Sequence, residues 1–174
     1  IVAPVQQRTA SEVYLIDRPG APQSVGLAGM IAPPKNTPDD VTIGVVQEVL
    51  GGSFTSRINM NLREDKHWTY GARMVLPDAR GQRPYFAMAP VQGDKTKETI
   101  EEVVKELAGI VGGRPVTDDE LAKAQGNLTL TLPGRWETNR AVTASLSQMV
   151  QFGLPTDYFD TYAGKVKGLT LGQV

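Results

Sequence analysis

The sequence predicts an α+β domain in which a mostly antiparallel sheet is packed with helices. Stretches with apolar residues on alternate positions gather toward the front of the chain, and stretches repeating every three or four positions fill the back. The elements do not alternate as strand, helix, strand, which argues against a wound parallel sheet. At 174 residues the chain suits one domain with a real core.

Residues 1–10 read as a linker, with Pro4 and a polar run, and residues 11–174 as the single domain. Val13, Tyr14, Leu15 and Ile16 predict a first strand over 12–17, closed by the turn at 18–22. A second strand is expected over 24–31. Thr37, Pro38, Asp39 and Asp40 then supply a capping hydroxyl, a first-turn proline and carboxylates at the positive helix end, so a helix should run to Leu50.

The centre of the chain is residues 51–71. Gly51 and Gly52 close the preceding apolar run, Ser53 is placed to cap a new helix, and Phe54, Ile58 and Leu62 recur at every fourth position. After Lys66 the period changes to two, with Trp68, Tyr70, Ala72, Met74 and Leu76 alternating as a strand should. Arg63 ends the helix and Tyr70 begins the strand, so a cation and a phenol leave neighbouring elements.

A polar turn over 78–83 leads to a strand over 84–91, apolar on both faces and expected to be covered on both. Asp94 is placed to cap a helix carrying Ile100, Val103, Val104, Leu107 and Val111. Thr117 and Glu120 have capping-box spacing at the start of the next helix, which carries Leu121, Ala124 and Leu128. Trp136, Val142, Leu146, Met149 and Val150 mark a third, closed by Gly153, and Pro155 opens a last short helix with Tyr158, Phe159, Tyr162 and Val166 inward.

Composition excludes several functions. The 18 basic and 19 acidic residues nearly cancel and form no block, so no nucleic-acid partner is indicated. No apolar run approaches the ~20 residues of a membrane-spanning helix, and no membrane insertion is expected. With no cysteine and one histidine, His67, the chain has neither thiolate chemistry nor a zinc ligand set of its own, and no Gly-x-Ser-x-Gly elbow is present. No metal site and no cofactor are expected in this chain. Gly51, Gly52 and Ser53 also admit an anion-binding reading, although the turn lacks the Gly-Lys-Ser/Thr ending of a phosphate loop. Asp118, Asp119 and Glu120 are explained by the capping box.

The runs Gly-Gly-Ser-Phe-Thr-Ser-Arg at 51–57, Asn-Leu-Arg-Glu-Asp-Lys at 61–66 and Trp-Thr-Tyr-Gly at 68–71 resemble the pitrilysin/insulinase family of zinc peptidases. The similarity is to the half-unit that lacks the inverted zinc motif His-x-x-Glu-His. It implies one half of the mitochondrial-processing-peptidase-like metallohydrolase fold. By this resemblance the chain is the substrate-binding half of a zinc metalloendopeptidase, inactive alone, with Arg63 and Tyr70 directed at substrate and with zinc held by a homologous partner half, on the same polypeptide or another subunit. Gly51, Gly52 and Ser53 would lie near the peptide. The family usually carries a small residue, often glycine, where this chain has His67. The resemblance further implies a bacterial, exported or periplasmic protein and a longer chain, truncated here at the C-terminal end of the domain. The alternative it leaves open is a zinc-free assembly subunit of the same fold.

Overall fold

The computed structural model describes residues 3–174. Three strands form one sheet among them: β1 (Gln23–Ala32), β2 (Arg73–Val75) and β3 (Arg83–Gln92), in the order β1-β3-β2 with both pairings antiparallel. The helices are α1 (Asp40–Gln47), α2 (Arg57–Asn59), α3 (Thr96–Ile110), α4 (Asp118–Leu130), α5 (Asn139–Phe152) and α6 (Tyr158–Lys167). Two of them continue as wider π-type turns, α1 through Glu48–Gly52 and α2 through Met60–Asp65. The α+β class and the antiparallel sheet are therefore as the sequence predicts.

The expected strand over 12–17 does not form. Val13, Tyr14, Leu15 and Ile16 lie exposed in irregular chain. Strand propensity expresses packing against cross-strand neighbours, and no described strand flanks this segment. The strand expected from Trp68 shrinks to Arg73–Val75 for a definable reason. The β2–β3 register, Arg73 opposite Met88, would set Gly71 opposite Pro90, which has no N–H to continue the ladder. There the Thr69 hydroxyl takes the place of the Gly71 amide, donating to the Pro90 carbonyl at 2.5 Å and accepting from the Gly71 amide at 3.0 Å.

One face of the sheet is buried. Ala87, Ala89 and Val91 of β3, with Met74, pack on Ile58 and Leu62 of α2 and Val103 of α3. A second cluster joins the helices, with Val45, Val49, Leu121, Ala124 and Val166 from α1, α4 and α6. The expectation of cover on both faces fails, because Val25 and Leu27, facing Pro90 and Met88, remain largely exposed. Apolar residues on both faces signalled burial that the helices supply on one side only.

Helix ends follow local chemistry unevenly. Thr117 and Glu120 form the expected capping box, and α5 ends at Gly153 in the left-handed region, φ 66°. Asp94, by contrast, caps nothing and lies in a 3-10 turn ahead of α3. Asp40 is drawn instead into a buried network, 3.1 Å from the Arg83 guanidinium and 2.9 Å from the Lys35 ammonium, and it accepts from the Tyr158 hydroxyl at 3.2 Å. Burial, with Asp40 beside it, pushes the Tyr158 phenol above its ordinary range.

Candidate functional site

The site is built on α2 and the loops at its two ends. The helix starts later than Ser53 predicts: Arg57 is its first residue, and the Ser53 carbonyl instead accepts from the Ser56 amide at 3.2 Å and the Ser56 hydroxyl at 2.6 Å. Phe54 is consequently not a core residue. It is 55 % exposed, while Ile58 and Leu62 are buried as expected. Because residues 51–53 are not the first turn of α2, their amides lose the dipole argument for an anion site.

Gly51 is required by a close approach. A Cβ there would collide with the Met74 amide nitrogen and stand 3.0 Å from the Arg73 carbonyl carbon, so this glycine seats the turn directly on β2. Gly52 is exposed beside Glu48, and Ser53 is half-buried.

Arg57 anchors the front of the helix. Its side chain is 4 % exposed and pairs with Glu120 through two hydrogen bonds of 2.6 Å each. It also donates to the carbonyls of Arg114 at 2.6 Å and Pro115 at 2.9 Å. These hydrogen bonds hold the Glu120 carboxyl down at about 2, against an ordinary value of 4.5. The start of α2 is thereby fastened to the α3–α4 connection.

Arg63 lies on the wide turn that continues α2. That turn ends with the Lys66 amide bonded five residues back to Asn61, at 3.0 Å, and such widened turns recur at functional positions. The guanidinium stands 4.5 Å from the centre of the Phe54 ring, a cation–π contact, and 3.3 Å from Glu64. His67 takes φ 58°, in the left-handed region, with its Nδ1 3.1 Å from the Arg63 carbonyl. The conformation at the family's small-residue position is thus one that glycine adopts without strain.

Tyr70 projects from the loop between α2 and β2 and is 91 % exposed. The Thr69 hydroxyl accepts from the Gly71 amide at 3.0 Å on one side of it. On the other, the Ala72 amide donates to the Asn59 side-chain oxygen at 3.1 Å. The Asn59 amide nitrogen donates in turn to the Phe54 carbonyl at 2.6 Å. Tyr70 is presented outward, while Arg63 is half-buried on the turn that continues α2, its guanidinium resting on Phe54 of the loop that Asn59 joins to the Tyr70 loop. Neither Arg63 nor Tyr70 lines the cleft of about 470 Å³ bordered by Arg57, Glu120, Arg114, Glu106, Lys105 and Glu102, whose charges pair with one another.

The residues of this chain do not suit zinc. Among the described residues no group of three or more histidines, cysteines or acids gathers as a metal site, and His67 is bound up in a turn. Sequence reasoning missed Arg57 and Asn59. Their signal was a polar residue on either side of Ile58 in a helix whose apolar stripe is otherwise regular.

The fold is an α+β unit built on an antiparallel three-stranded sheet, with no cluster of metal ligands among the described residues. Residues 1–128 match the family model described as the peptidase M16 inactive domain, and the chain belongs to that family. Among solved structures it is similar to a peptidase M16 inactive domain from Pseudomonas fluorescens, at 20 % identity and a TM-score of 0.79, covering 87 % of this chain and 36 % of that one. The inactive peptidase domain of a presumed zinc protease from Bordetella parapertussis gives 18 % identity and a TM-score of 0.74, covering 92 % and 86 %. The periplasmic protease PqqL from Escherichia coli gives 12 % identity and a TM-score of 0.69, covering 88 % and 17 %. The chain therefore spans about a third of the Pseudomonas protein. No curated protein sequence matches significantly.

Proposed function

We propose that residues 11–174 form the non-catalytic, substrate-facing half of a zinc metalloendopeptidase, with the metal held by a homologous partner half. The observation that carries this is the exposure of Tyr70 and of part of the Arg63 side chain, at the two ends of the short link between α2 and β2, in an M16 inactive domain. A guanidinium and a phenol are both hydrogen-bond donors, suited to a peptide carbonyl and to the negative charge that develops on its oxygen during hydrolysis. The chain supplies one wall, so the hollow they face takes its other wall from the partner. Gly51, Gly52 and Ser53, in the turn ahead of α2, are assigned to peptide contact as the resemblance implies. An extended peptide would be held as an added strand. The likeness to a periplasmic protease supports export of the complete protein.

The test is turnover by the complete protein, or by this chain reconstituted with its metal-bearing half. Arg63→Ala and Tyr70→Phe are each expected to lower kcat on the order of a hundredfold, the usual loss for one such donor. Unchanged turnover in both variants refutes the assignment of Arg63 and Tyr70, whereas a complete protein and partner that both lack the inverted zinc motif and cleave no peptide favour the zinc-free assembly subunit.

A further inference from the structure

Arg63 sits on the turn that continues α2 and rests on Phe54 of the loop before that helix, and this loop is joined through Asn59 to the loop that carries Tyr70. Asn59, on α2, is 4 % exposed, and both ends of its side-chain amide are used. Nδ2 donates to the Phe54 carbonyl at 2.6 Å, and Oδ1 accepts from the Ala72 amide at 3.1 Å. Phe54 supports the Arg63 guanidinium with its ring, 4.5 Å from the centroid. Ala72 follows Tyr70 by two residues, and the Tyr70 loop is pinned at its other end by Thr69 to Pro90 of β3.

We propose that Asn59 is a positioning residue that sets Arg63 and Tyr70 relative to each other, by cross-linking the Phe54 carbonyl to the Ala72 amide. This rests on the role proposed above for the Arg63 and Tyr70 pair. The joint needs one donor and one acceptor at opposite corners of a short planar group, which among the side chains is the asparagine amide. Leucine of similar size supplies neither, and glutamine sets the amide one methylene too far out. An ionised aspartate keeps the acceptor for Ala72 but turns an oxygen against the Phe54 carbonyl; once protonated it donates there again.

That last property distinguishes positioning from mere packing. In the complete protein, or this chain paired with its metal-bearing half, Asn59→Asp is expected to lower kcat about tenfold near neutral pH, with KM changed less than about threefold. The deficit should shrink as pH falls through the substituted carboxyl's pKa, which burial and the facing carbonyl oxygen raise above the usual ~4. Asn59→Leu should show a loss of similar size with no recovery at low pH. Combined with Tyr70→Phe, the effect of Asn59→Asp should be less than multiplicative.

Phe54→Leu, at an exposed position, keeps the proposal testable should the Asn59 variants fail to fold. It removes the seat of Arg63 and should cost about twofold to fivefold in kcat. An Asn59→Asp deficit that is constant with pH and multiplicative with Tyr70→Phe overturns the proposal, as does a Phe54→Leu protein with wild-type kcat. If Arg63→Ala and Tyr70→Phe impair turnover while these variants do not, the joint alone is refuted. If those two variants are themselves silent, the substrate-contact reading falls, and the joint with it.

Discussion

Replacing Arg57 by methionine tests how α2 is held. The guanidinium is almost fully buried, makes four hydrogen bonds, and faces a Glu120 side chain that is 26 % exposed. Removing one member of a buried ion pair costs about 3–5 kcal/mol, mostly because the other charge is left uncompensated. Glu120 retains the Thr117 amide at 3.0 Å and has some access to water, so the lower end, about 3 kcal/mol, applies. Urea unfolding should show a lower midpoint with an unchanged slope, and thermal unfolding a Tm lower by about 6–12 °C. The same pair sets a pH dependence. Because the folded Glu120 carboxyl titrates at about 2 rather than 4.5, its stabilisation is fully present above pH 4.5 and is lost as pH falls toward 2. The Arg57→Met protein should lack that part of the acid slope. A midpoint shift worth less than about 1 kcal/mol, with the acid slope intact, refutes the anchoring role.

Two further substitutions probe the same unit. His67→Gly relieves a left-handed residue whose strain is about 1–2 kcal/mol, but it loosens the unfolded chain by about 0.4–1 kcal/mol, so a small net rise in Tm is expected; a lower Tm contradicts it. Gly51→Ala places a methyl against the backbone of β2, which cannot rotate away as a side chain would. A loss of about 1–3 kcal/mol in denaturant unfolding is expected, and wild-type stability contradicts the close approach.

Much of the architecture was readable without coordinates. The capping box of α4 and the glycine that ends α5 are set by neighbours within a turn or two, whereas of the stripe expected for α3 Val103 is buried but Val104 and Val111 lie exposed. The membership in a zinc-less peptidase half was equally visible, because it rests on a dense local run at 51–71 and on the lack of a ligand set. Misreadings arose where a distant partner decides. The segment 12–17 has every strand signal except a neighbour, and the strand beginning at Trp68 is stopped by Pro90 on another strand. Phe54 fits the apolar stripe of α2, yet the helix starts three residues after it, and its ring serves Arg63 instead.

The sequence by itself determined that Arg63 and Tyr70 are the candidates for the proposed site, through the resemblance of the run around them, and it determined the helix that leads to them, since periodicity and capping are local properties. The tertiary structure alone decided how those residues are held. Arg57 reaches a carboxylate 63 positions away, and Asn59 joins the carbonyl before α2 to an amide 13 positions after itself. Such pairings depend on where the folded chain brings backbone and side chain into register, and no periodicity encodes them.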